Sequence, residues 1–279
     1  ALAKEKVAID AEIQTIQQQM DTEADSAKLV ELDERLEQLV GRASEKVVQL
    51  RQKNARRAKE LEQPADELEL EIKKILEHFN AQTYAIPPIF KTALREQLDG
   101  LKRNQNLANA YARRNKYWPT IRRAFVAKQL PEQLGYIAFT ESAFDPKAVN
   151  SRSHASGMWQ MMEEAARGCG LTVNPKIDER FDVERSSEAA ACHISKLMVE
   201  FGEQSFMLAL ASYNRGENGV RRALHQVAKE PGGYKRRDFW HLYRLKLLPT
   251  ETRDYVPRVL AAAIVFENPQ KYGIVNAAK

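Results

Sequence analysis

Glu141 is the residue around which chemistry can be organised. It lies in LGYIAFTESAFDPKAVNSRSHASGMWQMMEEAARG, residues 134–168. Leu134, Ile137 and Ala138 precede it at helical spacing, which predicts one carboxyl group on the buried side of a helix, in its last turn. The negative end of a helix disfavours a carboxylate there. An apolar surround acts in the same direction, because desolvation raises the pKa of a carboxylic acid. An acid kept protonated near neutral pH is what cleavage of a glycosidic bond uses as its general acid. Beyond it, Asp145-Pro146 signals a turn. Ser156 to Gln160 is expected to open another helix, in which Gly157 admits close backbone approach and Trp159 and Gln160 offer a stacking face and an amide. The other carboxyls have plainer readings. Asp145 is turn chemistry, Glu163 and Glu164 belong to the next helix, and Asp178, Glu179 and Arg180 form a charged structural loop. Glycoside cleavage usually takes two carboxyls. One well-placed acid suits a reaction in which the substrate provides the other groups. Alone, Glu141 reads more readily as a solvated acid ending a helix; the surrounding combination changes that.

Four strings in order, ESAFDPKAV, SGMWQMM, ALASYNRGENGV and LPTETRDYVPRVLAA, resemble the soluble-lytic-transglycosylase domain of the lysozyme-like superfamily, and within it the membrane-bound lytic murein transglycosylase D group. The resemblance covers roughly Asn115 to Gly273. It implies an all-α, goose-type lysozyme-like domain that cuts the β-1,4 bond between N-acetylmuramic acid and N-acetylglucosamine in peptidoglycan. The muramoyl 6-hydroxyl attacks its own anomeric carbon and leaves a 1,6-anhydro end. By resemblance Glu141 is the single catalytic residue, acid first and base second, with no metal and no cofactor. Ser142 either orients the acid or caps the helix end. Gln160 holds the family's Gly-x-x-Gln position near the N-acetyl sugar. Met162 lines the groove or is plain core. Tyr213 and Asn214 match an Ala-Tyr-Asn motif, with Ser212 in place of Ala, and would bond the reacting sugar or Glu141. Glu251 and Tyr255 match Glu-Thr-x-x-Tyr-Val and would complete the groove; for Glu251 the resemblance puts this role ahead of helix capping. Trp240 reads as core and His154 as a loop residue. Asn150 stands where the family often has Ser, and Glu163 where a proline is frequent. The competing readings are a hydrolytic muramidase on the same fold, and a non-catalytic peptidoglycan-binding scaffold.

These side chains need elements to hold them. The chain has 279 residues, 43% hydrophobic and 29% charged, enough for a real core with much solvated helix surface. Few alternating apolar and polar runs occur, so the fold is expected to be almost all α. Residues 1 to about 62 read as long helix, broken at Asp21 to Ser26 with Asp25 or Ser26 as a new N-cap. Ile9, Ile13, Ile16 and Met20, then Leu29, Leu32, Leu36, Leu39, Ala43, Val47 and Leu50, step by three or four in a coiled-coil-like seam. A hairpin, a rod that pairs with itself or a partner, and two helices packed back on the chain all remain open. Pro64 is expected to start a helix ending near Phe79, AQTYAIPP to break it, and another helix to span about Ile89 to Leu101. A polar helix links to Pro119, where a short amphipathic helix begins. Pro131 starts the Glu141 helix, Ser186 or Ser187 caps a later one, Tyr213 to Gly216 breaks another, and a last helix starts at Thr250 or Thr252. The organisation expected is therefore residues 1–114 as a helical N-terminal region and 115–279 as the catalytic domain.

The net charge is +5, with basic clusters at Arg113-Arg114, Arg122-Arg123, Arg221-Arg222 and Lys235-Arg236-Arg237. Each alone is more simply a solvated face, but together they suit an anionic polymer such as a cell wall. No nucleic-acid motif accompanies the charge. No run of about 18 apolar residues is present to span a membrane. The start at Ala1, in mid-helix pattern and without a leader, reads as a trimmed chain whose signal or anchor lies upstream, which implies the periplasm or cell envelope. Cys169 and Cys192 have no metal-site spacing. Buried free thiols are slightly favoured over a disulfide.

Overall fold

The computed structural model describes residues 2–53, 66–78, 86–202, 206–229 and 238–275. The expected stretch to about residue 62, Pro64, Phe79, most of AQTYAIPP and the Lys235-Arg236-Arg237 cluster lie outside them. The first two helices are α1 (Leu2–Thr22) and α2 (Ser26–Lys53). Asp25 caps α2: its Oδ1 accepts the N–H groups of Ala27 at 2.9 Å and Lys28 at 3.0 Å. Ion pairs Arg35–Glu12 at 2.5 Å and Lys46–Glu5 at 2.6 Å run in opposite numerical order, so the two helices form an antiparallel hairpin. Its seam buries Ile9, Ile13, Ile16 and Met20 against Leu29, Leu36, Leu39 and Ala43, and Leu245 from the far end of the chain joins them.

Two further helices, α3 (Glu67–His78) and α4 (Pro88–Lys102), follow. Asp66 starts α3 by accepting the Glu69 N–H at 2.7 Å. Leu68, Ile72, Ile75 and Leu76 of α3 and Phe90, Leu94, Leu98 and Leu101 of α4 belong to one continuous core with residues from Leu107 to Phe266.

One unbroken helix, α5 (Leu107–Ala127), passes through Pro119. Sequence reading ended one helix there and began another, because proline removes an intrahelical bond and clashes with the preceding turn. Packing outweighs that cost. Ile121 and Phe125 are buried, and Trp118 stacks on Tyr136 with ring centroids 4.6 Å apart. The anticipated division at residues 114 and 115 falls inside this helix.

The central stretch forms a 3-10 turn (Glu132–Tyr136) running into α6 (Ile137–Ser142). Ser156 to Gln160 is not helical as expected; it turns, with Ser156 bridging Met161, and α7 (Glu163–Gly168) opens later. Gly157 and Gln160 both adopt positive φ, 78° and 46°, which an α-helix cannot accommodate. A second 3-10 turn (Glu179–Phe181) precedes α8 (Val183–Phe201). Asp182 caps α8 through a 2.8 Å bond from the Arg185 N–H, so the helix starts earlier than a cap at Ser186 or Ser187 would place it. Those two hydroxyls instead donate back to the carbonyls of Asp182 and Val183. Helix α9 (Phe206–Arg215) gives way at Gly216, φ 80°, to α10 (Glu217–Ala228). The chain closes with α11 (Phe239–Arg244) and α12 (Thr250–Glu267).

The described residues contain isolated β-bridges and no strand, so the fold is all-α. Helix α12 is its axis: from Tyr255 to Phe266 nearly every side chain is buried, with α3, α4, α6 and α9 around it. Cys169 and Cys192 form a disulfide, Cα to Cα 5.9 Å, against the slight expectation of free thiols. Packing of α7 on α8 brings them together, which spacing in sequence could not show. No described helix is long and apolar enough to cross a membrane.

Candidate active site

Helix α6 is only six residues long, and its buried Ile137, Ala138 and Phe139 fix which way it faces. It ends abruptly. Ala143 and Phe144 are both left-handed, φ 52° and 61°, a conformation unusual without glycine. Their N–H groups bond the carbonyls of Phe139 at 2.7 Å and Ala138 at 3.1 Å, which closes the helix. Burial of the Phe144 ring against Phe139 and Phe266 offsets a strain of about 1–3 kcal/mol per residue. From α5, Arg113 Nε donates to the Ala143 carbonyl at 2.9 Å. Arg113 reads from sequence only as part of a surface cluster; a cation at a helix C-terminus was the signal available.

Glu141 therefore sits in the last turn, as its spacing predicts. The Tyr255 hydroxyl, from α12, donates to Glu141 Oε1 at 2.5 Å. Burial, the largest effect, raises the Glu141 carboxyl to about 7. The Tyr255 hydrogen bond and the charge of Arg258 pull it down, and Glu251 pushes it up. Tyr255 is itself buried, and its hydroxyl is held well above its ordinary value, so it stays a donor.

The remaining site residues divide into exposed surface and framework. Ser142 Oγ donates to the carbonyl of Met158 at 2.7 Å and accepts the Asp145 N–H at 3.0 Å, tying the helix end to the next loop. Gln160 Nε2 donates to the carbonyls of Gly157 at 2.9 Å and Ala148 at 3.1 Å, which commits its nitrogen to the loop and leaves Oε1 as the acceptor it can present. Met162 is half exposed rather than core. The Tyr213 hydroxyl donates to the Trp159 carbonyl at 2.8 Å, so it braces the Gln160 turn. Asn214 Oδ1 accepts from buried Thr252 Oγ1 at 2.9 Å, joining α9 to the first turn of α12. Glu251 is exposed in that same turn.

Trp159 corrects an expectation. It is fully buried, stacked on Phe125 at 5.4 Å, with its Nε1–H directed to Ser187 Oγ at 3.3 Å, so it offers no face to a sugar. Trp240 packs edge-on to Phe90 at 4.9 Å, and His154 lies in an exposed turn, as read from sequence. The loop has a brace that sequence reasoning only half saw. Buried Arg180 pairs with Asp178 and donates to the carbonyls of His154 at 3.0 Å and Met161 at 3.1 Å. Its own carbonyl would lie 1.9 Å from a Cβ added at Gly157. That carbonyl is what Gly157 was expected to let close.

Residues 120–234 match the family model described as Transglycosylase SLT domain. Over 182 residues the chain is 34% identical to membrane-bound lytic murein transglycosylase D of Escherichia coli strain K12, a match covering 65% of this chain and 38% of that protein. The corresponding protein of Escherichia coli O6:H1 matches with the same identity and coverage. The chain thus spans 38% of the length of these curated relatives. Among solved structures, an inactive mutant of lytic transglycosylase Slt from Pseudomonas aeruginosa aligns with 94% of this chain and 38% of its own, at 20% identity and a TM-score of 0.47.

Proposed function

We propose that this chain, whose residues 120–234 match the transglycosylase SLT domain, is a lytic transglycosylase acting on peptidoglycan glycan strands. It cleaves the β-1,4 bond between N-acetylmuramic acid and N-acetylglucosamine and leaves a 1,6-anhydro end. One observation carries this reading: the half-buried Glu141 carboxyl accepts a hydrogen bond from a tyrosine hydroxyl, and desolvation pushes it up to about 7. A group poised there can give a proton and take one back at the same pH.

Glu141, protonated, gives its proton to the leaving glycosidic oxygen, with the substrate's N-acetyl group assisting departure. The carboxylate left behind accepts the Tyr255 hydrogen bond, which strengthens as charge develops. It then removes the proton of the muramoyl 6-hydroxyl, which closes the anhydro ring and restores the acid. Gln160 Oε1 is suited to accept from an acetamido N–H. Tyr213, Asn214 and Ser142 act behind the surface, holding the Gln160 turn and α12 in register, while Met162 and Glu251 line the groove. A protein that carries the Cys169–Cys192 disulfide suits an oxidising compartment, which supports a place in the cell envelope.

Digestion of purified peptidoglycan tests the proposal by the chemistry of the ends. Anhydromuramoyl ends, lost in Glu141→Gln, are expected. Hydrolysed reducing ends would favour a muramidase with water as acceptor, and undiminished action of Glu141→Gln would remove Glu141 from the chemistry.

A further inference from the structure

The N-terminal hairpin meets the rest of the molecule through charge as well as apolar packing. Asp33 and Glu37 lie one turn apart on α2. His241 and Arg244 lie one turn apart on α11. Asp33 and His241 are fully buried, with Asp33 Oδ2 2.7 Å from His241 Nδ1 and Glu37 Oε1 3.5 Å from it. Arg244 Nε donates to the other Asp33 oxygen at 2.7 Å. Leu245, the next residue, is buried in the hairpin's own core. Lys246 has a left-handed φ of 55° and reaches the Glu23 carbonyl at 3.5 Å, beside the hairpin turn. From there Leu247, buried Leu248 and Pro249 lead directly into α12, which carries Tyr255.

We propose that the hairpin is a positioning element for the acid, with Asp33 its principal positioning residue: the buried Asp33–His241–Arg244 cluster fixes where α12 begins, and so holds the Tyr255 hydroxyl on Glu141. The inference rests on Glu141 as the reacting acid. A chain of short links carries it, from Asp33 to α11, through five residues (Leu245–Pro249) to α12, and about one and a half turns along to Tyr255. Burial opposes the charged form of both Asp33 and His241, but pairing outweighs it: Asp33 is lowered and His241 raised from their ordinary values. Two carboxylates face Arg244 and His241, and the raised value of His241 favours the imidazolium, the form that makes the cluster neutral. The same Asp33, Glu37 and His241 have a ligand set's proximity. A divalent cation would have to displace the proton from His241 while Arg244 stays on Asp33, which leaves an excess positive charge in a buried place.

The test reads Glu141 itself, by carboxyl carbon chemical shift against pH in the full chain, so that failure of the positioning link is told apart from failure of the proposed reaction, which shows instead as an inactive wild type on peptidoglycan. Loss of the Tyr255 donor should raise the Glu141 midpoint. Tyr255→Phe is expected to do so, and Asp33→Asn to reproduce the rise, by about half a unit or more. Leu245→Ala, which loosens the hairpin without altering charge, and the milder Glu37→Gln carry the test should Asp33→Asn fold poorly. In a Tyr255→Phe background none of these should add a further shift, whereas Lys46→Ala, at the hairpin's own surface, should add none in any background. An unmoved midpoint in variants whose hairpin amides exchange faster with solvent would overturn the proposal, as would shifts that add to that of Tyr255→Phe. A zinc-dependent rise in melting temperature that disappears in His241→Gln would also overturn it, in favour of a metal site.

Discussion

At the scale of the residue, the proposed role of Glu141 ties both rate and stability to its protonation. Catalysis needs the acid form in the free enzyme, so kcat/KM should fall tenfold per pH unit above about 7, where the group titrates. Tyr255→Phe removes a bond that favours the carboxylate. The falling limb should then move to higher pH, even as the rate in the plateau declines, and a pH–rate series on soluble glycan fragments reads both effects. Glu141→Gln should lose about two to four orders of magnitude in turnover. It should also gain stability. Because the folded value of about 7 lies above the ordinary 4.5, the unfolded chain ionises first. Folding is therefore penalised from about pH 4.5 upward, with the penalty complete beyond pH 7. Thermal denaturation should find Glu141→Gln more stable than the natural chain by roughly 1–3 kcal/mol at pH 8, and nearly equal at pH 4. The place of Glu141 in the last turn of α6 was legible because the apolar residues before it are spaced as a helix. Trp159 was not, because nothing local says whether an aromatic side chain beside a motif faces the groove or the core.

At the scale of the element, loops and helix ends were the hard part. Periodicity placed α1, the start of α2, and α4 close to their observed limits, since each has a clear apolar stripe. The Ser156–Gln160 turn escaped it, because positive φ at Gln160 is imposed by contacts from Tyr213 and Arg180 that lie far away in sequence. Gly157→Ala makes the point measurable. An added Cβ would meet the Arg180 carbonyl at 1.9 Å in a backbone conformation hostile to side chains. Loss of more than about 2 kcal/mol in denaturant unfolding, together with a severe loss of turnover, is expected. Arg180 was read as a structural loop residue, and it is one, but the Asp178 pairing hid that its guanidinium also clamps two carbonyls of the loop carrying Gln160. Helix α5 erred differently: tertiary packing carried it through Pro119 where local propensity alone would have stopped.

At the scale of the whole molecule, the four motifs picked out the candidate site but not the extent of the body that holds it. The resemblance begins near Asn115, inside α5, whereas the core already includes α3 and α4. A chain starting at Asn115 should leave α12 without its α4 neighbour, expose Tyr111's and Phe90's partners, and unfold at a lower temperature than one starting at Ala1. Equal melting temperatures, with equal rates on peptidoglycan, would show that everything before α5 is dispensable. The hairpin was expected as one of three arrangements, and which one holds was decided by residues at the opposite end of the chain, Leu245, His241 and Arg244. No window of sequence contains both sides of that contact.

The bridge between Cys169 and Cys192 encloses the segment that carries Arg180. Made in an ordinary bacterial cytosol, where thiols stay reduced, the polypeptide would be harvested with that tie open and the floor beneath Gln160 slackened. Preparations from such cells and from an oxidising secretion route should differ in specific activity, and incubation with a dithiol followed by air should carry one into the other.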